Sequence, residues 1–399
     1  MRCNCLGRAL CAVLLVSAPA AASPTLKDAL DSAWARHPLS LAAAARVDER
    51  AARHDVASSW LAEGPRVSIS QKSDRWNRNA GAREWEAEVG VALQMPAVRA
   101  ARGVVAESEA ALLESQAAAE KWRLAGDVRE SYWHARMAAS DLTLAERKVA
   151  DARALSVDVE RRYQAGEVAR TDWNQALAAL KGAESAAADA RARASRAQRG
   201  VLTVTGLSQM PGGEEARQGP VSLELHPQLR ELANAAGASL ARQQEAGAQR
   251  RDPPEVSLGT VRERGAYGEP AAGSMVLRLT VPLAAGASNR ARVAAAGAER
   301  IEAEARVQLA RARIEAELAS AEEDLAQLAH QVTHAEARLV LSRETHALLD
   351  KAYRLGELDL SARLRAEADR FDAEFALARA ELERSRGISR FNQASGFLP

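Results

Sequence analysis

Two stretches of this 399-residue chain, 97–210 and 283–398, contain no proline. Proline inside a helix removes a hydrogen bond and clashes with the preceding turn, at a cost of about 3 kcal/mol or more. Proline-free spans of over 100 residues therefore fit uninterrupted helices. Within the first span Ala135, Leu142, Val149, Ser156 and Tyr163 fall seven apart, with Ala138, Ala145, Ala152 and Val159 three residues later. That is the a/d seam of a coiled coil. The 67 residues from Ala97 to Tyr163 cover roughly 100 Å at 1.5 Å rise. Alanine in the seam lets helices approach closely, which explains a chain that is 47% hydrophobic but only 4% aromatic.

The chain also repeats itself. His37-Pro38 recurs as His226-Pro227, Val67-Ser68-Ile69 as Val256-Ser257-Leu258, and Met95-Pro96 as Val281-Pro282. Tyr163-Gln164-Ala165-Gly166-Glu167 recurs as Tyr353-Arg354-Leu355-Gly356-Glu357. The offsets lie between 186 and 190, so the pattern is a tandem duplication of about 190 residues. The expected layout is a first repeat over 23–210, a linker over 211–225 and a second repeat over 226–399. Each repeat opens with a helix (about 25–61 and 226–250) and continues with two strands (about 65–73 and 84–95; 254–262 and 273–282). A long helical hairpin (97–206 and 284–387) completes each repeat. Gly166 and Gly356, three residues after each tyrosine, can take the left-handed conformation that ends a helix.

Residues 1–22 combine Arg2 and Arg8, an apolar run from Ala9 to Val16 and a small-residue site ending at Ala22, the pattern of a secretory signal peptide. All three cysteines (Cys3, Cys5 and Cys11) lie in it. The mature chain then has no thiol for disulfides, metal sites or nucleophilic chemistry. Basic and acidic residues, 54 and 53, nearly balance, which argues against nucleic acid as a partner.

The strand segment 85–95 alternates strictly, with Trp85, Ala87, Val89, Val91, Leu93 and Met95 apolar. Such segments suit a transmembrane strand or a half-buried soluble one. Four strands cannot close alone, since the smallest outer-membrane barrels use eight. Either several copies pool strands or a small sheet caps an oligomeric helical rod. Trp76 and Trp85 suit an interfacial aromatic belt as well as ordinary strand packing.

No Ser/His/Asp or paired-carboxylate arrangement stands out, so catalysis and cofactors are not expected, and neither is a metal centre. His330 and His334 have i,i+4 spacing but lack the zinc-protease glutamate and a third ligand, and are read as a solvated helix face. His37 and His226, each before a proline, are read as structural. Pro211-Gly212-Gly213 has no leading strand and no following Lys-Ser/Thr, so it is read as linker rather than phosphate loop.

Taken together, the signal peptide, repeat, two strands per repeat, Tyr-x-x-Gly-Glu tips and paired His-Pro resemble the outer membrane factor (TolC) family over about 23–399. Val261-Arg262-Glu263-Arg264-Gly265 leading into Leu277–Pro282 looks most like its heavy-metal efflux (CzcC/CusC-like) branch. The resemblance implies a mainly α fold with a small β part. Three chains would form a 12-stranded outer-membrane barrel continued by a periplasmic α-helical tunnel. It implies an exit channel of a tripartite system that works with a periplasmic adaptor (membrane fusion) protein and an inner-membrane RND transporter. The alternatives are drug efflux or type I protein secretion on the same fold, and a periplasmic coiled-coil scaffold outside the membrane.

Carried onto this chain, the adaptor-contacting tips are Tyr163, Gly166 and Glu167, and Tyr353, Arg354, Gly356 and Glu357. Gln164 replaces an arginine in the first copy, and Ala169 and Asp359 stand where Ser or Thr is usual. Acidic residues often narrow the tunnel of such proteins just beyond the second tip. Ala362 and Arg365 occupy those positions here, which leaves Asp172 and Asp359 as candidate gate residues.

Overall fold

The computed structural model describes residues 24–219, 222–283 and 286–399. The expected signal peptide, 1–22, lies outside them. The chain is mainly helical with one small sheet, in agreement with the expected fold class.

Helix α1 (Leu26–Ala35) starts in a capping box. The Thr25 hydroxyl accepts from the Asp28 amide at 3.2 Å, and Asp28 accepts from the Thr25 amide at 2.8 Å. These hydrogen bonds to Thr25 hold the Asp28 carboxyl below its usual range. The single opening helix expected over 25–61 is instead three pieces: α1, α2 (Pro38–Leu41) and α3 (Ala43–Ser58). Proline excludes the residue before it from helical geometry. His37 accordingly sits at φ −72°, ψ 138°, and its Nδ1 accepts from the Leu39 amide at 3.3 Å as the cap of α2. In the second half His226-Pro227 opens α6 (Pro227–Ala248), so proline there starts a helix instead of splitting one.

The two long helices, α4 (Pro96–Gln164) and α7 (Gly286–Arg354), each have 69 residues. Their return arms, α5 (Arg170–Thr205) and α8 (Leu360–Ala394), have 36 and 35. Along the α4–α5 seam Ala135, Ala138, Ala145, Ala152 and Val159 are buried against Ala176, Leu180, Ala183, Ala187 and Ala197. Helix α8 runs past 387, where its hairpin was expected to end. Gly387 stays helical because α8 presses on α7 there: a Cβ would lie 2.7 Å from Leu328 Cδ1.

Beyond the ends of α5 and α8, α6 takes over as the neighbour of α4 and α7. Arg102 and Arg242 tie it to α4 through Glu245 (3.1 Å) and Glu109 (2.7 Å). At this waist the segment after Gly206 is pinned rather than loose. The Tyr132 hydroxyl donates to the Gly213 carbonyl at 2.7 Å, and the Asn392 amide exchanges hydrogen bonds with Ala216 and Gln218, both at 3.0 Å. Buried Arg129 donates to Glu215 at 2.7 Å and to the Phe397 carbonyl at 2.9 Å.

Strands β1 (Arg66–Ser73), β2 (Arg83–Ala92), β3 (Glu255–Arg264) and β4 (Ala272–Thr280) form one antiparallel sheet in sequence order. Strand β2 stops at Ala92, short of the expected 95, because Met95 already caps α4 and Pro96 is its first residue.

Candidate functional site

The tips of the two hairpins have the same backbone. After α4 the Gly166 amide donates to the Tyr163 carbonyl (2.9 Å) and the Glu167 amide to Arg162 (2.9 Å). After α7 the Gly356 amide donates to Tyr353 and the Glu357 amide to Ala352, both at 3.0 Å. This is the Schellman motif, which requires a left-handed residue, and both glycines sit at φ +78°.

The side chains differ. Tyr163 stacks on Trp173, with ring centroids 5.3 Å apart and 4° between planes. The matching position in the second hairpin is Arg363. The guanidiniums of Arg363 and Arg162 each lie 5.5 Å from the centroid of the Tyr353 ring. Tyr353 is only 8% exposed and packs with Leu155, Val159, Ala176 and Leu360. Burial pushes its hydroxyl pKa up. The structure thus places Tyr353 inside the joint between hairpins, whereas Gly166, Glu167, Arg354, Gly356 and Glu357 are exposed at the apex. Arg354 is held by Asp350 at 2.8 Å.

Of the two gate candidates, Asp359 caps α8, accepting from the Ala362 amide at 3.1 Å. Asp172 lies in the first turn of α5, where its charge complements the helix dipole. The two acids therefore have local helix-start roles in this chain. Ala169, the counterpart of Asp359, leaves α5 without a side-chain cap.

The sheet has two chemically distinct faces. Pairing aligns Val67, Val89, Leu258 and Leu277 in one row, and Ile69, Ala87, Thr260 and Met275 in the next. These residues share a face because side chains alternate along a strand. The apolar side chains on it are uncovered: Ile69, Met275 and Leu277 are 71%, 77% and 75% exposed. Trp85 stands on this face near one end, where Trp76 and Tyr267 are also exposed. Trp60, with Arg99 stacked 3.6 Å from its ring, is exposed near the other end. The opposite face is polar. Arg278 reaches Glu88 at 2.6 Å and Glu86 at 3.1 Å across β3, where Gly259 and Ser257 leave room. Among the described residues β1 and β4 have no partner on their outer edges.

The histidines are dispersed. His37 stacks on Trp34 (5.1 Å), and His226 is buried edge-on to Trp122 (4.9 Å). Burial holds the His226 imidazole below its usual pKa. His330 and His334 lie on an exposed face of α7.

Trp173 and the Arg129–Glu215 pair escaped the sequence reading. Trp173 carried a signal, an aromatic residue in the first turn after a repeated tip. The ion pair, between residues far apart on the chain, carried none.

A model of the outer membrane efflux protein family matches residues 29–207. No curated protein sequence matches the chain. Among solved structures, the chain is similar to CusC, described in a study of conformational changes accompanying folding and transmembrane channel formation, with 16% identity and a TM-score of 0.76. That match covers 93% of this chain and 92% of the other. The Campylobacter jejuni CmeC outer membrane channel gives a TM-score of 0.73 at 14% identity, over 99% and 94% of the two chains. The outer membrane protein VceC of Vibrio cholerae gives 0.74 at 16%, over 93% and 96%. The chain shares the fold of these outer-membrane proteins.

Proposed function

We propose that three copies of this chain form an outer-membrane exit channel of a tripartite RND-type efflux system, and that its cargo is heavy-metal cations. The observation that carries the channel reading is the sheet: an uncovered apolar face, a polar face, and an open edge on each side. Strands of 8–10 residues suit a membrane-spanning barrel, and exposed edges are not tolerated in lipid. Pairing β4 of one copy with β1 of the next closes twelve strands and removes every edge. The apolar faces then meet lipid between the two aromatic ends, and the Glu86, Glu88 and Arg278 faces line the lumen.

The helical arms have matching free surfaces. On the exposed back of α7, Ala298, Ala305, Ala312, Ala319 and Ala326 fall seven apart, as do His334, Leu341 and Leu348. On the exposed back of α5, Ala178, Ser185, Ala192 and Arg199 do the same. These are second seams, facing away from the first, and the neighbouring copies supply their partners. His330 and His334 fall at this junction.

The exposed tips then meet the periplasmic adaptor, while the inner-membrane transporter supplies the energy. Metal cargo rests on the resemblance to the heavy-metal branch alone. Membrane fractionation with crosslinking tests the channel: trimers in the outer-membrane fraction are expected, and soluble protein released by osmotic shock sinks it. Deleting the gene and measuring tolerance to cobalt, zinc, cadmium, copper and silver against a drug panel tests the cargo. Lost drug tolerance with unchanged metal tolerance would replace metal by drugs.

A further inference from the structure

The charges of the sheet are sorted by face. Side chains alternate along a strand, and the register places Glu84, Glu86 and Glu88 of β2 with Glu255 and Glu263 of β3 on the polar face. The other face carries no acid in any of the four strands. It is apolar for most of its length and ends in arginines, at the turns that join β1 to β2 and β3 to β4. One row there reads Gln71, Trp85, Arg262 and Gly273, and the next Ser73, Arg83 and Arg264.

Arg264 is braced within the chain. Its Nε donates to the Gly81 carbonyl at 3.2 Å, and its guanidinium lies 5.6 Å from the centre of the Tyr267 ring. Arg83 and Arg262 are exposed, and among the described residues no hydrogen bond or ion pair engages either guanidinium. The nearby acids point away on the polar face, where Glu84 lies 3.7 Å from Lys72 and Glu86 and Glu88 hold Arg278. Arg83 and Arg262 are diagonal neighbours on adjacent strands, about 7–8 Å apart.

A charge beside an apolar surface needs water or a counter-charge. Arginine on the lipid side of a barrel is costly at mid-depth and tolerated near the interface. Trp85, the register partner of Arg262 and 49% exposed, marks such an interface, because indole rings settle at headgroup level. The turns lie at the end of the sheet away from the helices. In a channel whose helical arms extend into the periplasm, that end reaches the outer leaflet.

We propose that Arg83 and Arg262 form a rim that binds the phosphate groups of lipid A, the phosphorylated glycolipid of the outer leaflet. The proposal rests on the channel reading. A guanidinium fork matches two phosphate oxygens, and the two forks are close enough to hold one phosphate together. Trp85 packs on the sugar and upper acyl region beside it. Three copies carry three such sites around the barrel.

The test is binding of labelled, doubly phosphorylated lipid A to the full-length protein purified from outer membranes in detergent. Unlabelled lipid A, lipid A without its phosphates, phosphatidylglycerol and phosphatidylcholine serve as competitors. Phosphorylated lipid A should compete at least tenfold better than each of the other three. Arg83→Gln with Arg262→Gln should weaken its binding tenfold or more. Lys72→Gln, which removes one positive charge from the polar face, should leave it unchanged. Equal competition by the dephosphorylated form, equal competition by phosphatidylglycerol, or full affinity in the double variant overturns the proposal. Each of those results is read on trimers recovered from the outer membrane, so the channel reading survives them. A protein absent from the membrane fraction sinks both. Should the double variant fail to assemble, Arg262→Gln alone replaces it, and unchanged affinity there is equally fatal.

Discussion

Arg129→Met keeps the length of the side chain and removes its donors. Arg129 is 2% exposed, and its guanidinium contacts Glu215, Gln393 and the Phe397 carbonyl. One side chain of α4 therefore fastens both the segment after Gly206 and the C-terminal tail. In the variant Glu215 keeps a hydrogen bond from Ser389 but loses its counter-charge. Removing one partner of a buried pair costs about 3–5 kcal/mol, because the other charge is stranded. For a large chain each kcal/mol moves the melting midpoint by roughly 2 °C, so a fall of about 6–10 °C is expected by far-UV circular dichroism. The loss is local in origin, so limited trypsin treatment should also show a new cleavage at Arg217, now held by Glu322 at 2.8 Å. Adding Glu215→Gln removes the stranded charge and should restore at least about 2 kcal/mol. A double variant no more stable than Arg129→Met, or no cleavage at Arg217, refutes the account.

Arginine on the apolar face of the sheet, as in Val89→Arg or Leu277→Arg, should cost about 2–4 kcal/mol in lipid and block outer-membrane assembly, scored by heat-modifiable migration on gels. Leu341→Glu with Leu348→Glu places acid on the back seam of α7 and should shift the trimer toward monomer in light scattering, with helicity retained. Gly356→Ala forces a side chain into the left-handed region at φ +78° and should cost about 1–2 kcal/mol, read from the thermal midpoint. Burial holds the His226 imidazole below its usual pKa, so as pH falls the folded state takes up this proton later than the unfolded one. Its stabilisation is full above the unfolded pKa of 6.5 and is lost as pH falls below it. His226→Gln should flatten the decline in melting midpoint between pH 7 and pH 5.

Periodic features were legible in the sequence. The heptad from Ala135 to Val159 repeats one spacing many times, and each repeat adds weight to the same seam. The alternation from Trp85 to Val91 does likewise for the sheet, although its meaning needed the register that sets Val67, Val89, Leu258 and Leu277 in one row. Single events were harder. Pro38 and Pro227 each begin a helix, but Pro38 does so just after α1 and splits a helix expected to be continuous, so the difference lies in what precedes them, not in the His-Pro pair. Gly387 looks like a stop, yet it is the thin point where α8 presses on Leu325 and Leu328. Asp359 caps α8 three residues after the left-handed Gly356, a local role that the sequence pattern did not separate from the gate expected there. Tyr353 and Tyr163 share a motif, and only the residues stacked on them, Arg363 and Trp173, decide which one is buried.

The alanine seam has a mechanical consequence. Knobs that lock a coiled coil in register are usually four-carbon side chains, and sliding one helix past another means lifting each out of its hole. Along α4 and α5 most knobs are single methyl groups, such as Ala138, Ala145 and Ala152 facing Ala183, Ala187 and Ala197. A methyl contributes about 0.8 kcal/mol of burial and protrudes little, so the corrugation along the seam is shallow. The arms behave as a low-friction bearing: stiff against bending, because the backbone is continuous helix, and compliant to axial slip. The contact between the two hairpins near the tips is of a different kind, with the Tyr353 ring of α7 packed on Leu155 and Val159 of α4.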